Sequence, residues 1–258
     1  MERVDPGDMN PTDLLRAPVC TTCGTLHPPR PGTPPACAIC LDERQYVGWS
    51  GQHWTDAATL ASTREIRFED CAGVTTMVLD PAFAIGQRAF LIPHAGGLVM
   101  WECLSTVTDA ALARIAALGG VPIHLHAADR SWVRFETAAM RFWSGDRLAL
   151  SDRLELVHLP GHFAGGAGLW WKDGPRPGGS LFPGDAIQVA MDRRFATFMY
   201  SYPNAIPLGC AALDRLEAHA GRLTFEDVYG FAPGRQIIGD ARARVDASFA
   251  RYRAALAS

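Results

Sequence analysis

The run Val157-His-Leu-Pro-Gly-His-Phe-Ala-Gly-Gly166 places a histidine, His162, on a glycine-flanked turn directly after an apolar segment. A later run, Phe182-Pro-Gly-Asp185, places an aspartate on a similar turn. Glycines let the backbone come close to a bound ion, and a carboxylate can bridge two ions that turn bound water into a nucleophile. Each motif alone is a common turn. Together they predict that His162 and Asp185 converge on a hydrolytic metal centre.

Short apolar runs bounded by Gly, Pro or Asp surround these motifs and predict β-strands. The predicted strands cover residues 74–79, 88–93, 98–102, 121–125, 147–150, 154–159, 169–172 and 180–182. Helices are predicted over residues 109–118, ended by Gly119-Gly120, around Ser131, and over residues 240–257, where Val245, Phe249, Tyr252 and Leu256 share one face. Short strands with interleaved helices indicate an α+β protein whose sheets are covered by helices.

Two C-x-x-C pairs stand near the start of the chain, Cys20/Cys23 and Cys37/Cys40. Each pair can place two thiolates on one tight turn, and two such turns complete a tetrahedral site for Zn2+. Two disulfides or free thiols are the alternatives. A four-sulfur site has no open coordination position, so this ion is assigned to folding. We predict an N-terminal segment, residues 1–50, with a structural zinc module, followed by one domain over residues 51–258.

Composition excludes several classes of protein. The net charge of the 258-residue chain is -3 and charged residues make up 20% of it, so a basic surface for nucleic acid is not expected. The acidic first residues do not read as a secretory signal. Apolar runs such as residues 97–104 are shorter than the ~20 residues that a membrane-spanning helix needs. We therefore expect a cytoplasmic protein that binds neither membranes nor nucleic acids.

The motifs together resemble the metallo-β-lactamase superfamily. Residues 143–150 through 157–162 are similar to its "dG-d-l … PGH-t-G" passage, and residues 90–101 to its early strand pair. Residues 191–207 and the C-x-x-C pairs resemble a bacterial subgroup with a zinc-ribbon-like N-terminal segment. The resemblance spans residues 20–252. It implies an αββα sandwich, with His162 as a metal ligand and Asp185 as the bridging carboxylate.

The chain departs from that pattern where the H-x-H-x-D-H motif is expected. It runs from Gly119-Gly120 directly into Val121-Pro-Ile-His-Leu-His-Ala-Ala-Asp-Arg130. In one interpretation, His124, His126 and Asp129 are a degenerate form of the motif that contributes ligands. In the other, which we favour, this run is the next strand of the fold, and a strand, loop and helix are missing between Gly120 and Val121.

The expected function follows from what remains of the site. The resemblance implies a hydrolase-like protein in which a metal-bound hydroxide attacks an ester, thioester or amide of a small-molecule substrate. A second Zn2+ or another divalent metal would then lie in the cleft. The alternative is a catalytically degenerate binding or scaffold unit, because the motif is incomplete. A missing strand would also expose a sheet edge and favour homo-oligomers.

Overall fold

The computed structural model describes residues 11–94, 97–115, 122–134 and 136–257. Its helices are α1 (Pro11–Leu15), α2 (Ala57–Thr63), α3 (Asp109–Arg114), α4 (Cys210–Ala220) and α5 (Ala241–Leu256), with a 3-10 helix over Ala127–Trp132. Its strands are β1 (Pro18–Cys20), β2 (Trp54–Asp56), β3 (Glu65–Cys71), β4 (Val74–Asp80), β5 (Arg88–His94), β6 (Gly97–Trp101), β7 (Ile123–His126), β8 (Met140–Trp143), β9 (Arg147–Ala149), β10 (Leu154–His158), β11 (Ala167–Trp171), β12 (Ser180–Phe182), β13 (Gln188–Val189), β14 (Ala196–Thr197), β15 (Met199–Ser201), β16 (Ile206–Pro207), β17 (Asp227–Tyr229) and β18 (Gln236–Ile238).

Two sheets form the centre of the molecule. One has the order β3-β4-β5-β6 and the other has the order β18-β17-β12-β11-β10-β9. Between them lies an apolar layer in which Phe90 and Ile92 of the first sheet meet Leu156, Leu169 and Phe182 of the second. Alternate residues of a strand point to opposite faces, so each sheet has a second apolar face that needs its own cover.

Helices cover both outer faces. Leu213 of α4 and Val245 and Phe249 of α5 are fully buried against the six-stranded sheet. On the other side, Ala111 of α3 packs in one cluster with Met77 of the four-stranded sheet. The layer order is therefore helix, sheet, sheet, helix, and the predicted αββα sandwich is confirmed.

The predicted elements can be compared with these bounds. Each predicted strand overlaps an observed one, and α5 buries Val245 and Phe249 as predicted. The predicted helix around Ser131 is one 3-10 helix. The end of the predicted helix 109–118, Gly119-Gly120, and the junction at Gly120 and Val121 lie outside the described residues.

Strand β7 pairs in parallel with β8, and in the described residues these two form a sheet of their own. The 3-10 helix provides the connection between them. Over the same ranges, β6 pairs with β5 only. Residues 123–126 are therefore a strand, as the favoured interpretation predicts, and the loss of an element before it stays a prediction.

The N-terminal region is built on the β1–β2 pair. Pro18, Val19 and Cys20 pair with Asp56, Thr55 and Trp54, so residues on both sides of position 50 form it. Asp56 then caps α2 by accepting a hydrogen bond from the Thr59 N–H at 2.7 Å. In the described parts of the chain, none of the helices has the length and apolarity to cross a membrane.

Candidate metal centres

The four cysteines of the two C-x-x-C pairs come together. All four sulfur atoms of Cys20, Cys23, Cys37 and Cys40 lie within 4.8 Å of one another. The Sγ atoms of Cys20 and Cys40 are 3.5 Å apart, and those of Cys23 and Cys37 are 3.7 Å apart. These distances exclude disulfides. They match the separation of about 3.8 Å between thiolates bound tetrahedrally to one zinc at ~2.3 Å, so the donor set fits such an ion.

Hydrogen-bond donors surround this cluster. Gln52 Nε2 donates to Cys20 Sγ at 3.1 Å, and His27 Nε2 lies 3.3 Å from Cys37 Sγ. Burial and the neighbouring Cys20 raise the pKa of Cys40 to about 12. Four buried thiols therefore do not ionise together unless a cation compensates their charge. His27, which had no role in the sequence analysis, is a buried neighbour of the cluster.

His162 and Asp185 meet at one edge of the six-stranded sheet. β10 and β12 both pair antiparallel with β11, so they run in the same direction and end at the same edge. His162 follows β10 and Asp185 follows β12. Their side chains approach to 3.4 Å between Nε2 and Oδ2, with His162 buried and the Asp185 side chain 48% exposed. The two side chains are therefore neighbours, and their role as metal ligands stays a prediction.

The ring of His162 has a defined orientation. Its Nδ1 lies 2.9 Å from the carbonyl oxygen of Met199, which can only accept, so Nδ1 donates the proton. In the neutral ring the lone pair is then on Nε2, the atom that faces Asp185. Tyr202 packs 5.4 Å from this ring and donates its hydroxyl to the Asp185 carbonyl at 2.9 Å. This is the outer support typical of a metal-binding histidine.

The sequence analysis missed a second acidic residue beside Asp185, which is Glu102. It follows β6 with a left-handed φ of 67°. Gly184 makes room for it, because a Cβ on Gly184 would lie 3.0 Å from Glu102 Oε1. Burial, and then the charge of Asp185, raise the pKa of Glu102 to about 8. The available signal was a carboxylate at the end of a predicted strand, where site residues of layered folds commonly lie.

His126 and Asp129, two of the three candidate ligands from the run 121–130, have other partners. His126 accepts a hydrogen bond at Nδ1 from the Ala128 N–H at 3.3 Å, and its ring stacks on His158 at 4.1 Å. Asp129 Oδ1 accepts from the Gly165 N–H at 2.7 Å and so supports the loop of His162. Burial raises the pKa of Asp129. Burial also lowers the pKa of His124.

His162 and Asp185 provide too few ligands for a complete catalytic metal centre. Among the described residues, no group of three or more His, Cys, Asp or Glu ligand atoms within 4.8 Å includes either of them. A catalytic zinc usually has three protein ligands. No histidine stands in residues 228–234, where the resemblance implies a final ligand, and Tyr229 is buried there, stacked on Phe182 at 4.8 Å. These residues do not fit a self-sufficient catalytic zinc.

The four-cysteine region, residues 18–56, contacts the loop of His162 through Arg44. Its guanidinium lies 4.3 Å from the ring centre of Phe163 and 4.9 Å from that of Trp132, and it donates to the His162 carbonyl at 3.3 Å. Hydrogen bonds from Arg44 also lower the pKa of Asp42. A cation held over aromatic rings and paired with a carboxylate is a stabilising contact.

A pocket of about 480 Å3 opens beside this contact. Its lining residues are Arg44, Asp146, His158, Pro160, Gly161, His162, Phe163, Ala164, Tyr200, Arg215 and His219. The charged side chains of the lining are therefore two arginines and one carboxylate. It is large enough for a small ligand, and this charge balance favours an anionic one.

No protein-family model matches the chain. Two solved structures are similar, each with a TM-score of 0.44: a B3 metallo-beta-lactamase described as the first with an active site glutamic acid, and the DIM-1 metallo-beta-lactamase. The first is 16% identical and covers 70% of this chain and 86% of its own; the second is 13% identical and covers 74% and 98%. The uncharacterized protein YmaE of Bacillus subtilis (strain 168) is 35% identical over 266 residues, which cover 93% of this chain and 97% of that protein. The chain belongs to the family of YmaE.

Proposed function

We propose that this chain is a hydrolase-like protein of the metallo-β-lactamase superfamily, with a structural Zn2+ on its four cysteines and a cleft centred on His162 and Asp185. The αββα sandwich and the two motifs support the superfamily assignment. The main support for a hydrolytic function is the orientation of His162, because its Nδ1 is held by the Met199 carbonyl and its Nε2 faces Asp185. A metal ion held by His162 and Asp185 together with further ligands would supply a Lewis acid for a carbonyl or phosphoryl oxygen.

The chain's own residues supply the rest of the proposed cleft. His162 Nε2 carries the lone pair that takes a cation or a proton, and Asp185 supplies a carboxylate beside it. Arg44 packs over Phe163, the residue next to His162. Two donors do not by themselves fit a catalytic metal centre. We propose that the substrate is a small anionic ester, thioester or amide.

A panel of chromogenic esters, thioesters and amides tests it, with Zn2+, Mn2+ or Co2+ added in turn. We expect hydrolysis of at least one class, and a loss of at least about 100-fold in kcat/KM in both His162→Ala and Asp185→Ala. His53→Ala is the matched control, because His53 is exposed and its ring hydrogen-bonds to Ser50, outside the cleft lining. Full activity in both site variants would sink the hydrolase proposal.

The donor count favours a second candidate. A cleft that keeps its shape and one oriented histidine, but lacks a third ligand, suits a binding or scaffold unit. In that case, no member of the panel is hydrolysed, and small carboxylates or phosphates raise the Tm in the intact chain. His162→Ala then removes the Tm shift.

A further inference from the structure

A second group of metal-ligating side chains lies in the same pocket, away from the His162–Asp185 pair. Ligand atoms of Asp146, His158 and His219 lie within 4.8 Å of one another. Asp146 precedes β9, His158 ends β10, and His219 lies in the last turn of α4. Three separate elements of the fold thus bring two imidazoles and one carboxylate together.

His158 is oriented for ligation. Its Nε2 lies 2.8 Å from the carbonyl oxygen of Ala164, so Nε2 donates the proton and the neutral ring keeps its lone pair on Nδ1. His126 stacks on this ring with an interplanar angle of 8°. Histidine ligands of metals commonly donate their other ring N–H to a carbonyl in this way.

Asp146 is held in the same manner. Its Oδ2 accepts from Arg222 Nη1 at 2.7 Å, while Oδ1 faces His219 Nδ1 at 4.0 Å. Arg222 therefore fixes one carboxylate oxygen and leaves the other toward the histidines, although its positive charge opposes a second cation. The carbonyls at the C-terminal end of α4 favour a cation beside His219.

We propose that Asp146, His158 and His219 bind a divalent transition-metal ion, with zinc as the first candidate. Two imidazoles and a carboxylate are a donor set that such ions accept, and three protein ligands leave a coordination position open. Asp146 is exposed and the histidines are half-buried. All three side chains line the pocket that His162 also lines, so a carboxylate or phosphate of a ligand in this pocket would complete the coordination. This site is distinct from the pair that carries the proposed function.

The test is metal binding, measured independently of hydrolysis. The full chain, with its four-cysteine site loaded, is titrated with Zn2+ by calorimetry, and bound metal is counted by elemental analysis after dialysis. We expect one tight equivalent beyond the cysteine-bound ion, lost or weakened at least about tenfold in His158→Ala, His219→Ala and Asp146→Asn. Asp173→Asn is the matched control and keeps this equivalent, because Asp173 is likewise a surface carboxylate paired with one arginine, Arg153.

His162→Ala separates this site from the one in the proposed function. An equivalent that persists in His162→Ala and disappears in His219→Ala supports the new site, whatever the hydrolysis panel shows. An equivalent lost in His162→Ala but kept in His219→Ala and Asp146→Asn would overturn it. If His158→Ala does not fold, the exposed Asp146→Asn still decides, since it leaves both rings in place.

Discussion

Arg44 is the residue through which the four-cysteine region contacts the loop of His162. Its side chain is 15% exposed and pairs with Asp42 at 2.7 Å while it lies over Phe163. The contact with Phe163 could not be read from the sequence, because arginine is the common basic residue of this chain and Phe163 lies more than 100 positions from Arg44. Only the fold brings them together.

We therefore expect Arg44→Ala to destabilise the protein by about 2 kcal/mol, from the loss of the ring contacts and the hydrogen bonds. The Tm should fall by roughly 4–8 °C in thermal unfolding. Arg30→Ala, at an exposed position of the same region, should leave the Tm unchanged. Equal Tm values for Arg44→Ala and Arg30→Ala would contradict a stabilising role for the Arg44 contact.

Glu102 gives a prediction about pH. Its folded-state pKa is raised from 4.5 to about 8, mainly by burial. Below pH 4.5 the carboxyl is protonated in both the folded and unfolded states, so it has no effect on the pH dependence of stability. Between pH 4.5 and about 8 the unfolded chain loses this proton and the folded chain keeps it. The free energy of unfolding therefore falls by up to ~1.4 kcal/mol for each pH unit in this window.

Glu102→Gln cannot ionise, so it escapes this loss. Urea unfolding with no divalent metal added should give equal stabilities for variant and parent below pH 4.5, and a variant that is progressively more stable up to about pH 8. The control is Glu65→Gln, at an exposed position on β3. A constant difference between Glu102→Gln and parent across this range would show that burial does not shift the pKa of Glu102.

At the scale of elements, the loop between β10 and β11 positions His162. Gly165 lies against Asp129 so closely that a Cβ would be 2.7 Å from Asp129 Cγ and 2.9 Å from its backbone nitrogen. The carboxylate of Asp129 in turn accepts the Gly165 N–H. The loop and the 3-10 helix therefore hold each other in place.

Gly165→Ala should cost about 1–3 kcal/mol, because the backbone of Asp129 must move to admit the methyl group. The displaced loop should also weaken any ligand binding that depends on His162. Gly48→Ala is the control, since a Cβ there meets nothing within 4 Å. Chemical denaturation of both variants measures the difference, and a Gly165→Ala protein as stable as Gly48→Ala would refute the close fit.

The sequence predicted elements better than it predicted sites. Short apolar runs such as those of β4 and β5 define strands locally, because nearly every residue of these strands is buried. The C-x-x-C pairs were informative for the same reason, since each defines its own turn. Asp146, His158 and His219 are not grouped by any short spacing in the sequence. The ring centres of His158 and His219 lie 5.1 Å apart because the fold brings the end of β10 and the last turn of α4 together.

Across the whole molecule, His124 and His126 show how a spacing that matches a motif can mislead pattern reading. Their spacing matches a ligand motif, yet β7 carries them as a strand paired with β8. His126 then contacts His158 rather than the His162–Asp185 pair. Whether a neighbouring strand was lost between Gly120 and Val121 stays a prediction, since that junction lies outside the described residues.

The four-cysteine region makes a second contact with the rest of the molecule, at residues 200–204. Tyr200 donates its hydroxyl to Glu43 Oε1 at 2.6 Å, and Asn204 Nδ2 donates to the carbonyls of Glu43 and Gln45 at 2.8 Å each. These bonds join the region to residues 199–207, beside the Met199 carbonyl that orients His162. The region is thus part of the support of the cleft.

Removal of residues 1–56 should therefore lower the Tm of the remaining chain by more than ~10 °C, or leave it insoluble. A merely appended module would leave the Tm unchanged, and that result would contradict the supporting role. Should the truncated chain fail to fold, Asn204→Ala in the full chain keeps the question testable: it deletes both bonds to the region and should cost about 1–2 kcal/mol. The truncated chain should also lose ligand binding in the His162 pocket. Without Arg44 the loop of His162 loses a hydrogen bond, and without Glu43 so do residues 199–207, where the Met199 carbonyl orients His162.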